Sequence, residues 1–297
     1  MHAKNWSVDK VIGIFLMSCF CMLCIVPMIA ILSISFSDES MLSFQGYRIY
    51  PQGFTLSAYQ YLISTNGLQI LRAYGVTIVT TVVGTFISLL VMSLLAFALA
   101  RPDFAWRRQI SMTVFFTMLF NGGLVPTYMV VTRLLHIQDT IWSLILPYAV
   151  SAWNVILMRT FFYSIPIELS EAARIDGASN LQIFFHIYIP LGKAAFATVG
   201  IFMALRYWND WWLPLLYIRN MKLYNLQFML YKVMANIQML AELAQMGGIS
   251  SSVSLADIPN ESVRMAICIV VAGPMLFVFP FFQKHFARGL TIGSVKG

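Results

Sequence analysis

Six stretches of this chain run for 19 or more residues with almost no charge, and no other feature restricts its fold as tightly. Residues 11–36, 74–100, 110–132, 140–158 and 265–283 contain no Asp, Glu, Lys or Arg, and 194–218 contains only Arg206 and Asp210. A helix of about 20 apolar residues crosses a hydrocarbon core of roughly 30 Å. Lipid offers backbone N–H and C=O groups no partner, so a spanning segment must satisfy its own, and a helix does so. The pattern predicts an all-α integral membrane protein with six transmembrane helices. Composition agrees: 31 of 297 residues are charged, where a soluble domain carries about a quarter.

The basic residues orient the spans. With the N-terminus in the cytoplasm, the inner segments hold eleven Lys and Arg and a net charge of +6. The outer segments hold seven and a net charge of +1. The chain-wide +7 is therefore mostly a positive-inside signature, with no nucleic-acid partner implied. Both termini are expected on the cytoplasmic side of the membrane. The first run is 26 residues long with Pro27 near its outer end. No small-x-small cleavage site follows it, so a retained span is expected rather than a signal peptide. Cys19, Cys21 and Cys24 lie in that span and Cys268 in the last. They read as small hydrophobes, and no metal site is expected, since no His or acid completes a ligand set.

Between the spans, the outer segment 37–73 contains FTLSAYQYLI, which reads as a short helix on the membrane surface, and 133–139 reads as a tight turn. The outer segment 219–262 is the largest soluble piece: LQFMLYKVMANIQML is apolar enough for a helix, and GGISSSVS is flexible by composition. A loop this long is seldom idle. The inner segment 101–109 is short and basic.

The remaining inner segment, 163–190, carries ELSEAARID, four charges in nine residues. Pro166 pre-sets a helical φ near a helix start. Glu168 and Glu171 fall near the positive end of the helix dipole, and Glu171 and Arg174 are spaced to pair across a turn. Gly177 suits the left-handed position that ends a helix. A second helix, about 180–188, runs to Pro190, which opens the fifth span. Leu169, Ala172, Ala173 and Asp176 lie near one face, and the paired alanines leave room for another protein's backbone. On physical grounds a docking helix and a plain surface helix joining two spans stand level.

EAARIDGASNLQIFFHIYIP resembles the EAA signature of permease subunits in ABC importers. Glu171, Ala172, Ala173, Gly177, Ile187 and Pro190 occupy its positions, and Ile189 replaces its leucine. Asp176, Gly177 and Ala178 match the carbohydrate branch, and Ala194 stands where many relatives carry a proline. NGGLVPTYMV, SIPIELSEAA, WNDWW and the basic C-terminal tail extend the likeness to the maltose-type group. Within that group the chain looks like the smaller permease of oligosaccharide and polysaccharide importers such as the alginate system. The resemblance implies a type I ABC importer permease fold, with a transmembrane domain at 74–283. Residues 1–73 precede it and a cytoplasmic tail, 284–297, follows. It also implies that Glu171, Ala172, Ala173, Arg174, Asp176 and Gly177 form a cytoplasmic coupling helix on an ATPase subunit. The implied partners are a second homologous permease in a heterodimer, two ABC ATPases, an extracytoplasmic solute-binding protein and an oligosaccharide.

No G-x-x-x-x-G-K-[ST] or LSGGQ occurs. The chain is expected to bind no cofactor itself, with ATP and Mg on the partner ATPases. Intramembrane polar residues mark a pathway or a pairing. Arg206 and Asp210 are four apart, hence on one face of a continuous helix, among Tyr207, Trp208, Asn209, Trp211 and Trp212. They read either as a sugar pathway, with rings for stacking and polar groups for hydroxyls, or as an aromatic belt with a structural ion pair. Asn154 is a further pathway candidate, and Asn121-Gly122-Gly123 with Pro126 marks a bend or close helix packing. In the smaller permease of this family the large outer loop scoops ligand from the binding protein, a role that would fall to Gly247 and Gly248. An intramembrane enzyme lacks its catalytic set here: the four histidines are scattered, with no H-E-x-x-H or G-x-S-x-G. A non-transporting receptor or scaffold would leave the EAA spacing unexplained.

Overall fold

The computed structural model describes residues 8–245 and 261–275, and every regular element among them is helical. By Cα packing the chain divides into residues 1–68 with 230–274, and residues 69–229 with 275–297.

In the first unit, α1 (Val8–Ser35) is exposed along most of its length with Pro27 inside it. Most of its exposed side chains are apolar, such as Leu23 at 73%, an arrangement that water disfavours and lipid accepts. The chain then folds tightly. Asp38 caps α2 (Glu39–Gln45) by accepting from the Ser40 N–H. Gln52 donates its backbone N–H to Ser37 Oγ at 3.0 Å and its side-chain amide to the Gly46 carbonyl at 2.7 Å. Phe36 stacks on Phe54, centroids 5.5 Å apart. The Glu39 carboxylate accepts from the backbone N–H groups of Glu261 and Ser262, both at 3.2 Å, and from Ser262 Oγ at 2.9 Å. It thereby caps α14 (261–275), as an acid suits a helix N-terminus.

The segment FTLSAYQYLI is not a separate surface helix. Ser57 begins α3 (Ser57–Ala100), a 44-residue helix that continues without a break into the second run. No proline interrupts it, and its glycines cost too little to stop a helix with this much apolar surface to bury.

The remaining uncharged runs depart from straight spans. Two helical segments, 10–35 and 67–100, are long and apolar enough to cross a membrane unbroken. Three more candidates are bent pairs. The first joins α4 (Arg107–Leu119) to α5 (Leu124–Met129), which winds on as a π turn (Val130–Leu134), with a bend of 115°. The second joins α6 (Trp142–Ile145) and its 3₁₀ extension (Leu146–Tyr148) to α7 (Ala152–Tyr163), bent by 55°. The sixth run, 265–283, is described only to residue 275. At the first bend Gly123 has φ +85°, a conformation open to glycine, as the NGG triplet anticipated.

After α8 (Ile167–Ile175) come α9 (Asn180–Ile183), a π turn (Phe184–Tyr188) and α10 (Ile189–Leu191). The fifth span was expected to open at Pro190. Instead Pro190 sits inside α10, and the chain bends by 82° at Gly192 before α11 (Lys193–Trp208). A Cβ on Gly192 would lie 2.6 Å from the Tyr188 carbonyl and 2.8 Å from the Phe162 ring. Only glycine lets the bend close against that ring. The chain continues through α12 (Trp212–Tyr217) and a 3₁₀ turn (Met221–Leu223) into α13 (Leu226–Gln245), the helix expected in the large outer segment. The core of this unit packs Met92, Phe97, Met158, Phe162, Phe184 and Met203 from α3, α7, the π turn and α11.

Candidate functional site

The charged stretch folds as α8 with local signals at both ends. Pro166 is its N-cap residue, and Glu168 lies in its first turn. At the other end Gly177 has φ +82°. Its N–H bonds the Arg174 carbonyl, and the Ala178 N–H bonds the Ala173 carbonyl, both at 2.9 Å, the two bonds of a Schellman motif. Ser179 then opens α9 with a capping box to Gln182.

The inner side of α8 is fixed. Ser170 is buried and donates to the Tyr188 hydroxyl at 3.3 Å, and Ala173 packs on the core. Tyr188 sits between Phe97 and Phe162, with centroids 4.7 and 5.4 Å away. Arg174 does not pair with Glu171 as its spacing suggested; it reaches Asp103, in the turn after α3, at 2.8 Å. Arg101 grips the same carboxylate at 2.5 Å and Asn180 at 2.6 Å. Leu169, Glu171, Ala172 and Asp176 stay exposed. Of the two alanines, then, only Ala172 faces outward. A groove of about 300 Å³ lies between Ala173, Asp176, Gly177, α9 and the π turn that follows it.

The second cluster forms where α11 ends. Asn209 is the C-cap, so Asp210 lies beyond the helix and does not share a helical face with Arg206. Asp210 is buried, and Oδ1 accepts from the N–H groups of Trp212 (3.2 Å) and Leu213 (3.3 Å) and from the Tyr148 hydroxyl (3.2 Å). Arg206 is exposed and lies over the face of the Tyr148 ring, 3.9 Å from its centroid, a cation–π contact. Tyr148 therefore stands between the two charges. The side-chain ion pair of the structural alternative is absent from the salt bridges among the described residues.

A chain that places these residues in this way has named relatives. No protein-family profile matches it. The polygalacturonan/rhamnogalacturonan transport system permease protein YtcP of Bacillus subtilis is 38% identical over 295 residues, covering 99% of this chain and 100% of that protein. Protein LplC of the same organism is 40% identical over 273 residues, covering 92% and 90%. A solved chain from a bacterial ABC transporter involved in the import of the acidic polysaccharide alginate matches with a TM-score of 0.81 and 30% identity, covering 96% of this chain and 99% of that one. The chain belongs to the permeases of sugar ABC transport systems.

The permease brings some of its expected pathway residues to the surface and turns others inward. Asn209 is exposed, and Trp211 and Trp212 are about two-fifths exposed. Tyr207 is 1% exposed, its hydroxyl donating to the Ile145 carbonyl at 2.9 Å and lying 3.1 Å from Ser88 Oγ. Trp208 is buried. Asn154 is buried too, its amide against Met203 Sδ at 3.2 Å. Gly247 and Gly248 lie outside the described residues. Sequence reasoning missed Asp103, Tyr148 and Gly192. Asp103 gave a signal in principle, as an acid in a short basic turn. Tyr148 gave none, being one more aromatic in an apolar run.

Proposed function

We propose that the permease passes an oligosaccharide from an extracytoplasmic binding protein into the cytoplasm, driven by two ATPase subunits that bind ATP and Mg and dock on α8. The observation that carries this reading is the two-sidedness of α8. Its inner side is tied to the turn at Asp103 and to Tyr188, while Glu171, Ala172 and Asp176 face outward. A push on that outer face would pass through Ser170, Ala173 and Arg174 into α3, α7 and the bend at Gly192, as a rigid-body movement between two gate states. A second, homologous permease completes the pathway, and residues 74–283 form the transmembrane domain with both termini in the cytoplasm.

The substrate reading rests on the cluster at the end of α11. An exposed arginine in an apolar span is stable only toward water or another chain, and two exposed tryptophans and an asparagine stand beside it. Rings stack on sugar faces, and a guanidinium pairs with carboxylates. The relatives' names include transport of polygalacturonan, rhamnogalacturonan and arabinooligosaccharides. Together these favour an oligosaccharide, with Arg206 suited to uronate units. The outer segment reaching through Gly247 and Gly248 displaces the ligand from the binding protein. The test is ATP hydrolysis by the assembled complex with and without loaded binding protein, in the intact chain and with residues 247–252 deleted. Stimulation in the intact complex that the deletion abolishes fits the proposal; undiminished stimulation of the deletion removes the scoop, and no stimulation of either removes the importer reading.

A further inference from the structure

A groove of about 740 Å³ lies apart from both clusters, between the end of α3, the start of α4 and the last turns of α7. Its lining is divided along its length. Arg107, Arg108 and Arg159 gather at one end, and no acidic residue lines the groove. Arg107 lies over the Tyr163 ring, 5.5 Å from its centroid, and none of the three enters the ion pairs among the described residues. Further along, the wall turns apolar: Met112 and Phe115 stand on α4 at helical spacing from Arg108, both exposed, and Ile156 faces them from α7.

We propose that this groove is a binding site for an anionic phospholipid of the phosphatidylglycerol type, with its phosphate on the three guanidiniums and an acyl chain along Met112, Phe115 and Ile156. The depth fits. Arg107 and Arg108 are the first residues of α4, and Arg159 lies one turn before the end of α7, so all three sit where spans meet the headgroups. Basic pockets between membrane helices at this level hold acidic headgroups. A free phosphate would use the arginines but has no use for the apolar wall. Phosphate oxygens suit arginine because its planar fork offers paired donors. The proposal rests on the chain lying in a bilayer and is independent of the sugar.

The test is native mass spectrometry of the assembled, purified transporter titrated with phosphatidylglycerol or phosphatidylcholine. The intact complex is expected to retain phosphatidylglycerol in preference. Arg107→Gln/Arg108→Gln/Arg159→Gln should weaken that retention roughly a hundredfold, at about fivefold per basic side chain. Arg108→Gln alone, at an exposed position, should cost about fivefold and keeps the test open if the triple variant does not fold. Unchanged retention in the variants overturns the proposal. So does equal binding of the deacylated headgroup glycerophosphoglycerol, which would make this a site for soluble anions. Loss of a partner subunit from the Arg108→Gln complex would also overturn it, because the groove would then be a subunit interface.

Discussion

Asp103 and Arg174 are 71 positions apart in the sequence, and their side chains meet at 2.8 Å. Arg101 holds the same carboxylate, so one acid ties the turn after α3 to the helix carrying the EAA residues. Both partners are about two-fifths exposed, and pairs of that kind contribute only ~0–1 kcal/mol to stability. Their value here is positional. Asp103→Asn should therefore leave thermal stability within about 1 kcal/mol while sugar uptake falls severalfold. Unchanged uptake in a well-expressed variant would show that α8 is held adequately by Ser170 and Ala173 alone.

Gly177 makes the corresponding demand on the backbone. Its φ of +82° costs a β-branched residue about 1–2 kcal/mol, and the strain would fall on the two bonds that end α8. Gly177→Val should insert and express normally but copurify with less ATPase subunit and import poorly. Gly177→Asn, which tolerates this conformation, should keep most of both. Equal recovery of ATPase with the valine variant would count against α8 as the docking helix.

Gly192 is retained for space rather than for dihedral freedom. Alanine there meets the Tyr188 carbonyl at 2.6 Å, an atom of the backbone that cannot swing aside. Gly192→Ala should lower stability by about 1–3 kcal/mol, the cost of overpacking, read as a shift in the thermal unfolding of the purified complex. Gly13→Ala is the control: nothing lies within 4 Å of the added methyl, so that change should be neutral or mildly stabilising.

How far the sequence carried the fold follows from the range of each signal. The ends of α8 were legible because Pro166, Glu168 and Gly177 act within a turn or two of where they stand. The partner of Arg174 was not, since helical spacing offered Glu171 while packing brought in Asp103. NGG announced the break before α5 through its own flexibility. Gly192 gave no such notice, because its constraint is the Tyr188 carbonyl and the ring of Phe162, thirty positions earlier, which only the bend brings against it. The four-residue spacing of Arg206 and Asp210 misled for a related reason: the inference assumed an unbroken helix, and α11 stops at Trp208.

That stop separates the roles of the two charged residues. Asp210 accepts from three donors, so Asp210→Ala should destabilise the complex by about 1–3 kcal/mol by leaving buried N–H groups unpaired. Asp210→Asn keeps an acceptor oxygen and should assemble. Arg206 is exposed, so Arg206→Gln should assemble normally and reduce uptake of uronate-containing oligosaccharides more than of neutral ones. Equal uptake of both by Arg206→Gln would remove the acidic preference while leaving the permease reading in place.

The central claim is import through this chain coupled by α8, and proteoliposomes test it most directly. The permease, reconstituted with the proposed second permease and ATPase subunits, is supplied with ATP on the ATPase face and loaded binding protein on the other. The account predicts accumulation of labelled oligosaccharide that requires both ATP and binding protein, and that Gly177→Val strongly reduces. Accumulation without ATP, or ATP-driven accumulation undiminished by Gly177→Val, would contradict it.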